Sequence, residues 1–307
     1  MDMPPIPLLI AYLGLAAAAL ALGAPRVLAK LPRTPLTSLW ATGALSAAFV
    51  LARLASDRFD PYWLAIFAAT TWAALEALSA VPDGAPLGPV DLIVWLALWI
   101  PFDLRWTNTL MSDSYSWWSL YLVIVAAIGW GRLRRLPGFD FRLFPPHLRD
   151  LAPVLPGFLG VLVLCVPIGL ALHFLSFPGK NMPASLGEGL RGAAIAFPLI
   201  FLTIALPEEL FFRGVLQGGI ERRLGRPWPA LAIASVAFGL MHWNNVSEDL
   251  AGVTDGRTIL AYQLTYFSLA TIAGAVYGLA YRWGGSILAP AIVHALVDTA
   301  WHFLFQA

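Results

Sequence analysis

Runs of roughly 15–24 mostly apolar residues recur along this chain, at about 5–24, 37–55, 62–81, 89–102, 117–130, 153–176, 189–206, 228–243, 258–281 and 286–305. Inside a bilayer every backbone N–H and C=O must find its partner within the protein, which confines segments of this length to helices. The expected fold is all-α, a polytopic transmembrane helix bundle of about 8–10 spans. The fourth and fifth runs are short and are expected to tilt or re-enter. Only 12% of the 307 residues are charged and 59% are hydrophobic, against about 25% charged in a soluble globule. Thirteen Trp, 18 Phe and 8 Tyr suit aromatic belts at both membrane interfaces. A formal net charge of +1 argues against a nucleic-acid partner, which leaves a basic stripe.

Loop charges orient the spans. Arg26, Lys30 and Arg33 follow the first, and Arg132, Arg134, Arg135, Arg142 and Arg149 the fifth. Arg222, Arg223 and Arg226 follow the seventh, and Arg282 the ninth. With ten spans these basic loops share one side, which the positive-inside rule makes cytoplasmic. Asp57, Asp60, Asp103, Asp113, Glu248, Asp249 and Asp255 collect on the other, and both termini face outward. The start Met1-Asp2-Met3-Pro4-Pro5 lacks a basic n-region, so the first run reads as a retained span rather than a cleaved signal.

The chain divides by content. Residues 1–150 read as an accessory transmembrane region with little buried charge, closed by a basic linker. Residues 151–307 hold every intramembrane polar cluster. The lone cysteine, Cys165, sits in an apolar run and reads as a small core hydrophobe.

Three clusters place ionisable groups where lipid cannot satisfy them, and such residues are expected to be functional. The first is Pro207-Glu208-Glu209-Leu210-Phe211-Phe212-Arg213. Proline removes a helical hydrogen bond, so a kink or restart is expected there. The two glutamates would then occupy a first turn, where helix N–H groups favour negative charge. Glu209 and Arg213, four apart, form an ion pair on one face. Glu208 lies about 100° away round the helix and is left free for chemistry. The second cluster is Phe238 with His242, one turn later. The third is His294 with Asp298, again one turn apart. His147, His173 and His302 lack such company and are assigned to interfaces or cavities. The blander readings are an ion-paired turn at a membrane edge and an interfacial histidine near Trp243.

A carboxylate base, two imidazoles, a second acid and an ion pair suit activation of water for attack on a carbonyl. The zincin motif H-E-x-x-H is missing, as are Gly-x-Ser-Gly and Gly-x-Gly-Asp. A proton- or cation-coupled transporter remains open, since intramembrane carboxylates also serve ion transport. A non-catalytic membrane scaffold or immunity protein remains open too.

The clusters resemble the pattern of the CPBP intramembrane proteases, the CAAX-protease-and-bacteriocin-processing or Abi family, which includes the CAAX prenyl endopeptidases. That pattern is Glu-Glu-x-x-x-Arg, Phe-x-x-x-His and His-x-x-x-Asn or Asp on successive membrane helices. Glu208, Glu209 and Arg213 fit it, as do Phe238 and His242, and His294 and Asp298, all within about 190–305. The resemblance implies an intramembrane endopeptidase acting on a peptide or protein, which can be lipidated or membrane-anchored. Its partner is membrane lipid, and its setting is the bacterial inner (plasma) membrane. It implies Glu208 as general base, His242 as its partner on the water, and His294 with Asp298 at the oxyanion. An ionised aspartate cannot donate there. Asp298 is therefore either kept protonated by its surroundings or serves to orient His294. Glu208, His242 and His294 also form a possible His₂Glu set for a divalent metal such as zinc; a metal-free glutamate mechanism is the alternative. The resemblance also implies an active site open to the cytoplasm.

Overall fold

The computed structural model of the chain describes residues 6–55, 59–103, 115–179, 181–245 and 255–305. Asp57, Asp113, Glu248 and Asp249, counted above on the outer side, lie outside the described residues, as does the Met1–Pro5 start. Every apolar run marked in the sequence falls on a helix, and no β-strand occurs among the described residues. In chain order the helices are α1 (Ile6–Leu22), α2 (Pro25–Lys30), α3 (Pro35–Ala55), α4 (Pro61–Ser79), α5 (Pro89–Asp103) and α6 (Tyr115–Ala126). They continue as α7 (Leu148–Leu151), α8 (Val154–Ala171), α9 (Leu186–Ile200), α10 (Leu206–Glu209) and α11 (Gly218–Leu224). The last three are α12 (Pro227–Leu240), α13 (Gly256–Gly284) and α14 (Leu288–Leu304). Wider π-helical turns extend α6 over Ala127–Leu133 and join α9 to α11 over Phe201–Ala205 and Leu210–Gln217.

Among the described residues, Pro35–Leu54, Leu148–Ala171, Leu186–Leu224 and Gly256–Gly284 are long and apolar enough to cross a membrane. Shorter apolar helices accompany them, including Pro227–Leu240 and Leu288–Leu304. The protein is an all-α, polytopic membrane bundle.

Two compact units make up the chain. The first comprises Met1–Pro145 with Gly218–Arg223. Here α1 packs on α3 and α6, and α3 packs on α4. Aromatic rings fill the interior: Phe67 lies 4.9 Å from both Phe49 and Tyr121, and the Tyr121 hydroxyl shares a 3.0 Å hydrogen bond with Thr71. This unit does contain buried charge, contrary to expectation. Arg134 is wholly buried and its Nε donates to Asp91 Oδ1 at 3.1 Å. Its Nη2 reaches the carbonyls of Ala85 and Pro86 at 2.8 and 3.1 Å. The linker arginine is thus folded inward, because a carboxylate and carbonyls replace its water. Arg33 and Asp83 pair at the surface, and that contact raises the arginine and lowers the carboxyl from their ordinary pKa values.

The second unit comprises Pro146–Gln217 and Leu224–Ala307. Its axis is α13, which packs against α8, α12 and α14. Asp255 starts this helix by accepting from the backbone N–H groups of Arg257 and Thr258. The Thr258 hydroxyl donates to it too, and these bonds hold its carboxyl below the usual range. The helix α14 packs back on α8 and α9, which brings the last polar cluster beside the first.

Candidate active site

The helix does not restart at Pro207. Backbone angles stay helical at Ala205 and Leu210, with π-helical turns on either side of the single α-turn Leu206–Glu209. The missing proline N–H and its clash with the preceding turn are absorbed by widening, a device frequent at functional sites. The expectation that the glutamates sit at a helix N-terminus is therefore corrected. No free helix end is there to favour their charge, so side-chain partners must do so.

Those partners form a relay. Glu209 Oε2 lies 3.1 Å from Arg213 Nε, both residues being wholly buried. The other oxygen of Glu209, Oε1, lies 2.9 Å from His294 Nδ1. A carboxylate paired with arginine accepts, so His294 Nδ1–H donates. The opposite ring nitrogen, Nε2, lies 3.9 Å from Glu208 Oε2 and 3.5 Å from Asp298 Oδ2. Tyr277 stacks on the His294 ring at 4.6 Å and 19°, which fixes its plane. Glu208 is buried, and its Oε2 has no hydrogen-bond partner among the described residues. Glu209 thus has a second task beyond its arginine: it holds a histidine.

Arg213 is anchored from its other end. Its Nη2 donates to Gly274 O at 2.9 Å, and one turn on Gln217 Nε2 donates to Gly278 O at 3.1 Å. A Cβ at Gly278 would stand 2.6 Å from Gln217 Oε1, and one at Gly274 would stand 3.3 Å from Arg213 Nη2. Glycine at both positions lets two side chains reach the second lone pairs of α13 carbonyls.

Phe238 links the clusters. Arg213 Cζ lies 4.6 Å from its ring centroid, and the His242 and His294 rings lie 4.6 and 5.7 Å from it. His242 Nδ1 is 2.8 Å from Phe238 O. A carbonyl only accepts, so Nδ1 carries the hydrogen and Nε2 keeps its lone pair in the neutral ring. No hydrogen bond or ion pair joins His242 directly to Glu208 among the described residues.

A cavity of about 370 Å³ opens beside this constellation. Its polar wall includes His242, Tyr266, Tyr277, His294 and Asp298; Ile200, Ile204, Leu269, Ala273 and Val297 are among its apolar residues. Glu208 is not among the lining residues. His302 also faces the cavity, and so does Cys165, whose thiol lies 3.7 Å from Leu269 O. Sequence reasoning missed Tyr266 and Tyr277. They are eleven residues apart on α13, about three turns and so one face, a spacing that could have marked them. The metal reading fares differently: among the described residues, no group of three His, Cys, Asp or Glu side chains is arranged to hold an ion. The Nδ1 contact with Glu209 orients the His294 ring and leaves Nε2 as the nitrogen that faces Glu208 and Asp298.

The model of the type II CAAX prenyl endopeptidase Rce1-like family matches residues 190–300, which include all six site residues. The C-terminal region resembles that family. A relative, the uncharacterized protein YpbD of Bacillus subtilis (strain 168), is 31% identical over 102 residues. That alignment covers 33% of this chain and 41% of the relative, so the chain spans less than half of the relative's length. No solved structure matches. The Rce1-like match supports a peptidase kind of function for the region that holds the cavity.

Proposed function

We propose that the protein is an intramembrane endopeptidase in which residues 151–307 are catalytic and residues 1–150 accessory. The observation that supports this best is the buried relay Arg213–Glu209–His294, whose outer nitrogen faces Glu208 and Asp298 beside a cavity. Water in the cavity is held by the lone pair of His242 Nε2 and gives its proton to the uncommitted carboxylate of Glu208. The hydroxide oxygen attacks the peptide carbonyl. With both ring nitrogens protonated, His294 donates from Nδ1 to Glu209 and from Nε2 towards the oxyanion. Asp298, 3.5 Å from that nitrogen, orients the ring rather than donating itself. Glu208 returns its proton to the leaving amine as the C–N bond breaks. The substrate is a peptide or protein presented at the membrane, and the mechanism needs no metal.

The test compares the membrane proteomes of cells expressing the wild type, Glu208→Ala and His242→Ala at equal levels. Precursors that accumulate in both variants, with unfolding midpoints unchanged, support the reading. Undiminished cleavage by Glu208→Ala sinks it. The site is proposed to open to the cytoplasm of a bacterial inner membrane. Exposed positions at the two ends of the spans serve as reporters. Cysteine at Trp283 in a Cys165→Ala background is labelled from the cytoplasm and cysteine at Leu186 from outside; the opposite pattern reverses the orientation.

A further inference from the structure

The first unit carries an apolar groove that the proteolytic reading does not use. It has a volume of about 520 Å³ and is lined almost wholly by α1 and α3. Short side chains make it: Gly14, Ala18 and Ala21 on α1 face Ala44 and Ala48 on α3 across a floor that includes Leu45. A Cβ added at Gly14 meets nothing within 4 Å. Small residues ordinarily let membrane helices close on each other, yet here they leave space between them. Along α1 the groove runs from Ile10 to Leu22, about 18 Å at the helical rise. That is close to one leaflet of a hydrocarbon core about 30 Å thick.

Two exposed cations lie in sequence between two residues that line the groove. Leu22 and Leu31 both line it, and α2 bridges them. Arg26 and Lys30, four apart on α2, are exposed and share a face. The neighbouring cations are engaged: Arg33 pairs with Asp83, and Arg132 donates to Leu31 O. Arg26 and Lys30 have no acidic partner among the described residues. The pattern combines a slot one acyl chain deep with two exposed positive charges on the short helix between two of its lining residues, and juxtamembrane Lys and Arg draw anionic headgroups.

We infer that this groove holds one acyl chain of an anionic glycerophospholipid of the surrounding bilayer, its phosphate resting on Arg26 and Lys30. The lipid would fill the space between α1 and α3 and so stiffen the first unit. This binding is independent of the catalytic reading.

Native mass spectrometry of the detergent-purified full-length protein tests it, with phosphatidylglycerol or phosphatidylcholine added. The wild type retains one phosphatidylglycerol in preference to phosphatidylcholine. Arg26→Gln and Lys30→Gln, both at exposed positions, each weaken that preference roughly fivefold. Gly14→Leu fills the slot and removes retention of either lipid, with the unfolding midpoint measured alongside to show that the fold persists. Equal retention of both lipids by the wild type overturns the proposal, as does retention untouched by the charge variants. A wild-type dimer that Gly14→Leu converts to monomer also overturns it, because the occupant is then a second copy of the chain.

Discussion

Replacing Glu209 separates its two tasks. In Glu209→Leu, Arg213 stays wholly buried, left with Gly274 O and the faces of Phe212, Phe238 and Tyr277. Stranding one member of a buried ion pair costs about 3–5 kcal/mol. At roughly 2–4 °C per kcal/mol in a domain of about 150–250 residues, the unfolding midpoint falls on the order of 10 °C. Adding Arg213→Met removes the stranded charge, and apolar replacement of a whole buried pair is often neutral or better. The double variant should therefore melt within a few degrees of wild type. Cleavage should not return, because His294 Nδ1 still lacks the carboxylate 2.9 Å away that sets its ring. A mispositioned oxyanion donor loses up to about 10²–10³-fold in rate. Thermal unfolding in detergent, paired with cleavage of an accumulated precursor, reads both quantities. A double variant that cleaves normally would show that Glu209 serves only the fold. A single variant that melts like wild type would show that the ion pair does not hold it.

His294→Ala should lower cleavage by about 10²–10³-fold, as loss of an oxyanion donor does, and normal turnover refutes its role. Gly278→Val should cost about 1–3 kcal/mol by overpacking, since its Cβ meets Gln217; an unchanged midpoint argues against that close approach. Asp91→Ala strands the buried Arg134 and should cost about 3–5 kcal/mol, read as earlier unfolding or faster limited proteolysis of the first unit. A zinc chelator should leave cleavage unaltered, and loss of activity restored by added zinc would refute the metal-free mechanism.

The sequence by itself determined the membrane bundle, because a backbone in lipid has almost no option but helix once apolar runs reach span length. It also determined the local pairs: Glu209 with Arg213, Phe238 with His242 and His294 with Asp298 each lie one turn apart, and helical geometry alone makes them neighbours. The site's connections were beyond its reach. Glu209 and His294 are 85 residues apart, and only the packing of α14 turns the ion pair into a relay. Arg213 and Gln217 find Gly274 and Gly278 61 residues away, and Arg134 finds Asp91 across 43. Pro207 illustrates the limit most directly. Its chemistry predicts a kink or a restart, yet neighbouring turns widen and the helix continues through it without restarting. Local covalent rules apply wherever the residue stands, whereas long-range contacts exist only once helices have chosen their neighbours. That choice rests on shape and small residues spread over the whole bundle, which no single segment encodes.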